Sequence, residues 1–200
     1  MSPRKSATEA RHTRERIIER SVAVASVEGL EGLTIGRLAT DLGISKSGLL
    51  GHFGTKEALQ IAALRRASEI FTRAVWLPAA GSPPGLVRLT AICEAWVTYL
   101  DREREAFPGG CLFTASAVEF DGREGPVRDA VARLYTVWKR RLVRDLRAAV
   151  EQGELPQDTD ADQIVFELNG VYFALNHAVQ LFGDRSAPDR ARRALRRVLR

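Results

Sequence analysis

Little in this sequence could build a metal site, a disulfide framework or a membrane anchor. Two cysteines, Cys93 and Cys111, and three histidines, His12, His52 and His177, are spread over 200 residues. Neither set has metal-ligand spacing, and a chain expected to work inside a cell has little use for a structural disulfide. No nucleophile–base pair, paired carboxylates or phosphate-cradling glycine loop can be assembled around the three histidines. An enzyme is therefore not expected, nor a metal or cofactor. No apolar run approaches the ~18–20 residues of a membrane span. The first twenty residues are polar, unlike a signal peptide, so a soluble, cytoplasmic protein is expected. Strands are missing too, because β-branched residues fall in helical rather than alternating registers.

What is present points to a helical core and an acidic partner. Hydrophobic residues make up 45% of the chain, which rules out disorder. The net charge is +5 and the pI about 9.7, a balance that favours a partner such as DNA. Only four of the 30 basic residues are lysine, and three of these, Lys5, Lys46 and Lys56, fall in the first sixty positions.

Periodicity and breakers predict an all-α chain of about nine helices. Helix 1 should run from about Thr8 to Glu28, with Gly29 at a left-handed C-cap. Thr34 caps a short helix carrying Leu38, Ala39 and Leu42, which Gly43 ends. Ser45 caps the next, holding Leu49 and ending near Phe53. A long fourth helix follows from Lys56 to about Trp76. Leu77-Pro78, Gly81 and Pro83-Pro84-Gly85 then make a linker. Beyond it helices are expected over 86–104, 110–120, 126–152, 160–182 and 188–200. The domain reading is a flexible basic arm over 1–9, a three-helix DNA-binding domain over 10–70, and a ligand-binding and dimerising domain over 77–200.

The segment from Thr34 to Phe53 has the pattern of a helix-turn-helix. Two helices this short cannot stand alone. Helices 1 and 4 must hold them, leaving the outer face of the second free to enter a major groove. That face is Ser45, Lys46, Ser47, Gly48, Gly51 and His52, all polar or small. Thr13-x-x-Arg16-Ile17-Ile18, Gly29-Leu30-x-Gly32-Leu33-Thr34, Ile44 to Leu49 and His52 to Leu59 together resemble the TetR family of regulators. The resemblance covers residues 10 to 60. It implies a homodimer on a palindromic operator and a divergent ligand pocket in the C-terminal domain. It places Thr34 and Lys56 on phosphates and Lys46, Ser47 and Gly48 at base edges; Arg37 joins the expected DNA-binding set. The chain departs from the family at Leu50, where a tyrosine usually sits, and at Gly51 and Gly36, so no operator sequence carries over.

The C-terminal half supplies the rest. Apolar residues cover most of the circumference of helix 8, which predicts burial on two sides. One side is its own core and the other a second subunit, approached along Gly170, Ala174 and Ala178. Trp96, Phe113, Phe120, Trp138, Tyr172 and Phe173 are pocket candidates, with Asn176 and His177 as polar handles for a mainly apolar small molecule. Asn169 is a third polar group costly to bury unpaired. Cys111, at the start of helix 6, is a reactive thiol if the dipole lowers its pKa, or a small buried hydrophobe. The arginines of helix 7 (Arg140, Arg144, Arg147) and of helix 9 read as solvated surface. An architectural DNA protein without sequence preference is the alternative. Some 120 residues of apolar helical chain after the linker argue for a second task.

Overall fold

The computed structural model describes residues 3–200, and side chains from Ala7 onward. The expected basic arm at Arg4 and Lys5 therefore has side chains outside the described residues. Its backbone is already helical, because α1 begins at Pro3 rather than near Thr8. Nine helices are described: α1 Pro3–Glu28, α2 Ile35–Leu42, α3 Lys46–Phe53, α4 from Lys56, α5 Leu86–Arg102, α6 Leu112–Phe120, α7 Pro126–Glu151, α8 Ala161–Phe182 and α9 Ala187–Val198. No strand occurs among the described residues, and none of their helices is long and apolar enough to cross a membrane.

Helix α4 outruns its expected end. It is α-helical over Lys56–Phe71, widens to a π turn over Thr72–Trp76, and closes with Leu77–Ala79. Pro78 was expected to start the linker, yet it sits inside this last turn. A proline there has no N–H for the carbonyl four residues back. That carbonyl, on Ala74, instead accepts from the Arg102 guanidinium at 3.0 Å. The π turn bonds Leu77 N–H to Thr72 O, a five-residue step that carries the chain past the disruption.

The chain folds as two compact units. The first comprises residues up to Ser68 together with Glu105–Val131, the second Glu69–Arg104 with Ala132–Arg200. Residues 105–131 thus belong with the N-terminal helices, whereas the sequence assigned them to the C-terminal part. The reason lies in α1 and α6. A carboxylate of Glu119 on α6 accepts from the Leu30 and Glu31 amides, both at 2.8 Å. Those amides follow Gly29, which leaves α1 with φ +76°. Gly109 N–H donates to Ser26 Oγ at 3.1 Å, and a Cβ on Gly109 would overlap the Ser26 carbonyl. Helix α4 crosses from the first unit to the second, and α7 crosses in the same direction further along. The first unit thus continues into the second through two helices.

In the first unit Ile17, Leu30, Leu33, Leu38, Leu49 and Leu59 are fully buried. In the second, Leu89, Ile92, Leu142, Leu146 and Leu168 do the same. There α8 and α9 pack together, as do α9 and α5. The 80–86 connection is pinned: Arg88 donates to Ser82 O at 2.8 and 3.0 Å, and Glu154 accepts from Leu86 N–H at 2.7 Å. Arg88 also reaches the buried Asp145 at 3.3 Å.

Candidate nucleic-acid interface

Caps and one glycine fix the geometry of α2 and α3. Thr34 Oγ1 accepts from Arg37 N–H at 3.2 Å, and Ser45 Oγ from Gly48 N–H at 3.0 Å. Each such cap is worth about 1 kcal/mol. Gly43 takes φ +66°, a left-handed conformation that a Cβ would strain. Ile44 N–H then returns to Ala39 O at 3.0 Å, which turns the chain into α3. Only Leu49 of α3 is buried, so the helix is anchored by one side chain and its flanks. Phe53 is half-buried, with the Arg14 guanidinium 4.9 Å above its ring.

The outer face of α3 is exposed at Ser45, Lys46, Ser47, Gly48 and Gly51, with His52 half-buried. Ser45 and Ser47 hydroxyls lie 3.2 Å apart. The Lys46 side chain passes over Gly36 of α2; a Cβ there would stand 3.4 Å from Lys46 Cε. Gly36 therefore leaves room for that lysine to lie along the face. Thr34 is exposed, and Arg37 is paired with Glu28 and, at 3.8 Å, with Asp41. Asp41 also takes Arg20 at 2.6 Å.

Lys56 is engaged within the protein. Its ammonium donates to the Glu31 carbonyl at 2.8 Å and lies 3.3 Å from the Glu31 carboxylate. The same carboxylate accepts from Gln60 at 3.1 Å and faces Arg123 at 3.7 Å. The Gln60 amide first, then Lys56 and Arg123, hold Glu31 below the usual carboxylate range. This cluster is not legible in the sequence, because Glu31, Gln60 and Arg123 lie far apart along the chain.

The expected pocket residues divide between the units. Cys111, Phe113 and Phe120 belong to the first, where Cys111 is buried at the N-cap of α6. Trp96, Trp138 and Tyr172 meet in the second. Trp96 stacks on Tyr172 and meets Trp138 edge-on, with centroids 4.1 Å apart. Phe71 and Trp76 complete this cluster at 5.0 and 4.7 Å from Trp138; the sequence reading had left both in the long fourth helix. Tyr172 donates to Cys93 O at 3.0 Å, and burial raises its pKa far above the ordinary value, keeping the phenol a donor. Burial also pushes the Cys93 thiol to about 11. Trp138 Nε1 and Asn169 Oδ1 are buried without a hydrogen-bond partner. Phe173 and Asn176 are half-buried. His177 is exposed and packs edge-on against Phe182. It does not line the aromatic core, because Tyr172 and Leu175 turn the buried face of α8 away from it.

That opposite face of α8 is apolar and uncovered. Phe166 is 73% exposed, Leu181 65% and Phe182 70%. Gly170 and Ala174 between them are exposed as well, and Ala178 is half-buried.

A capped helix-turn-helix in one helical unit, joined to a second with an aromatic core, defines a class: helical DNA-binding regulators with a separate second domain. Sequence profiles narrow it. Residues 17–63 match the bacterial regulatory proteins of the tetR family, and residues 85–195 match the tetracyclin repressor-like C-terminal domain. The chain belongs to the TetR family of transcriptional regulators. No curated protein sequence matches it significantly. Among solved structures, a TetR regulator from Chloroflexus aurantiacus is similar at TM-score 0.85 and 22% identity, over 94% of each chain. One from Cytophaga hutchinsonii gives 0.82 and 22%, over 96% of this chain and 94% of that one. AibR, solved in complex with isovaleryl coenzyme A and operator DNA, gives 0.70 and 16%, over 91% and 95%.

Proposed function

We propose that this regulator is a repressor that binds a palindromic operator as a homodimer and leaves it when a small molecule enters the second unit. The observation that carries the reading is the outer face of α3. Lys46, Ser47, Gly48 and Gly51 are exposed together, on a helix whose start and preceding turn are locked by Ser45 and Gly43. Small residues let the backbone approach DNA closely, and Lys46 is the long donor able to reach a base edge. Thr34, Arg37, His52 and Lys56 flank that face and are assigned to phosphates. Lys56 makes such a contact by sharing or leaving Glu31.

The exposed apolar face of α8, from Phe166 to Phe182, suits an isologous contact with a second copy. Two recognition helices then meet successive major grooves, with half-site centres about one helical turn (~34–36 Å) or a multiple apart. The unpartnered Trp138 Nε1 and Asn169 Oδ1 support a ligand site in the aromatic core. They suit a mainly apolar molecule with one acceptor and one donor. AibR, which shares the fold, was solved with both a small molecule and an operator. A ligand acts by binding one arrangement of α4 and α7 better than another.

Genomic fragments selected by the purified protein identify the operator. On that operator Lys46→Ala should lower specific affinity by about 1–3 kcal/mol and erase discrimination, with bulk-DNA affinity nearly kept. An unchanged footprint and affinity would show that α3 does not read the bases.

A further inference from the structure

Away from the aromatic core and the DNA-reading face, the second unit carries a groove of about 710 Å³ along α7 and the start of α8. Lys139, Arg140, Val143, Arg144, Arg147 and Asp162 line it. We propose that this groove binds a small anion with two or more phosphate groups, of the nucleoside di- or triphosphate class.

Three observations carry the assignment. Arg140, Arg144 and Arg147 follow one another at four and three residues, so they share one face of α7. At 1.5 Å per residue the outer two stand about 10 Å apart along the helix, the reach of a short phosphate chain with its nucleoside. Like charges so spaced repel one another. Yet among the described residues none of the three has an ion pair or hydrogen bond, in contrast to Arg192 on α9, held by Glu94 at 2.7 Å and Asp189 at 2.9 Å.

The groove's own carboxylates offset them only in part. Asp162 is taken by Lys139 at 2.7 Å, and that contact first, with the nearby charge of Arg147 adding to it, lowers its pKa. Glu151, the other carboxylate in the lining, makes no ion pair among the described residues. Three guanidiniums with no ion pair or hydrogen bond among the described residues thus line one groove, and their planar forks suit phosphate oxygens. Between them Val143 and Ala148 offer a half-buried apolar floor for a flat ring. The volume lies within the ~300–1,000 Å³ of small-molecule sites. Read from sequence alone, these arginines were solvated surface; their convergence on a groove changes the reading.

Calorimetric titration of the full chain at fixed ionic strength tests this with ATP, ADP, pyrophosphate, inorganic phosphate and adenosine. Expected are saturable binding of one nucleotide per chain, weaker binding of pyrophosphate, and none of adenosine. Arg144→Glu should weaken ADP at least tenfold and Arg144→Lys by less, with unchanged helicity by circular dichroism. Arg147→Glu is the second reversal, should the first disturb folding. Absence of saturable nucleotide binding at millimolar concentration would overturn the proposal. So would equal affinity for adenosine and ADP, or indifference to both reversals. If the reversals weakened sheared duplex DNA while ADP never bound, the groove would belong to DNA and the proposal would fall. If they changed only the particle mass in light scattering, it would belong to a second copy, with the same consequence.

Discussion

The two units of this protein build their sites in opposite ways. In the first, the side chains proposed to meet DNA are exposed, and what fixes them is backbone: the Thr34 and Ser45 caps, the Gly43 turn and the Glu119 clasp on the Leu30 and Glu31 amides. In the second, the candidate site is made of packed side chains, with the half-buried Trp96 against the buried Trp138 and Tyr172. A backbone-built face can present the same helix while its contact residues vary. A side-chain-built core changes specificity with each substitution, because packing there is dense.

The largest effect expected from breaking this arrangement lies in the second unit. Asp145 is 1% exposed and pairs with Arg88, which also holds the Ser82 carbonyl. Burial raises the Asp145 pKa, against the opposing pull of Arg88. Asp145→Ala leaves a half-buried guanidinium without its carboxylate, a change that costs about 3–5 kcal/mol. Urea unfolding should show that loss, and an unaltered midpoint would mean the pair contributes nothing. In the first unit Glu119→Ala leaves two amides unclasped at the end of α1. A hydrogen bond to a charged group contributes about 1.5–3 kcal/mol, so the stability cost should be about 2 kcal/mol. If the clasp positions the reading helices, operator affinity should fall even well below the melting temperature. Loss of stability with operator affinity intact would make the clasp structural only.

The same contrast explains what could be read from the sequence. The first unit's recognition elements are local: a cap, a glycine and a hydrophobic spacing lie within twenty residues of one another, and Thr34, Gly43 and Ser45 announce them. Nine helices were legible for the same reason, apart from the extra turn of α1 and the π turn that takes α4 past Pro78. The second unit's site depends on residues far apart, such as Phe71, Trp96, Trp138 and Tyr172, whose meeting is set by tertiary packing. The sequence marks Trp96, Trp138 and Tyr172 as pocket candidates, without Phe71, but cannot say which helix faces converge. It put His177 among them, although that side chain points the other way. Nor could it join Phe113 and Phe120 to the first unit, because that depends on Glu119 reaching Leu30 across 89 residues.

A smaller effect separates packing from recognition in the aromatic core. Trp138→Phe removes the unpartnered Nε1–H and keeps a ring. Losing a donor that has no partner offsets much of the lost packing, so stability should change by less than about 1 kcal/mol. Affinity for a ligand that uses this donor should fall about tenfold, the equivalent of one hydrogen bond. Thermal melting with and without the ligand gives both numbers. A stability loss of several kcal/mol would identify Trp138 as core alone.

The smallest effect concerns acid. Glu31 has a folded-state pKa below its ordinary 4.5, owing to Gln60, Lys56 and Arg123. A carboxyl whose pKa is depressed on folding adds stability that is fully present above its unfolded value. That stability is lost as the pH falls through the folded value, since protonation then favours the unfolded chain. Between neutrality and about pH 5 the contribution should be constant, and below about pH 4.5 it should decline. The carboxylate is 43% exposed, so solvent screening keeps the whole effect below about 1 kcal/mol. Glu31→Gln should therefore flatten the acid limb of stability slightly and leave the neutral region almost unchanged. It should also free the Lys56 ammonium from one of its two contacts, since the Glu31 carbonyl remains. Bulk-DNA affinity should then rise slightly at low salt, because the lysine reaches a phosphate without leaving a carboxylate. Titrating stability from pH 7 to pH 3 and duplex affinity at several salt concentrations checks both. A variant with the acid limb of the wild type and no gain for DNA would show that Glu31 neither holds Lys56 nor competes with the phosphate for it.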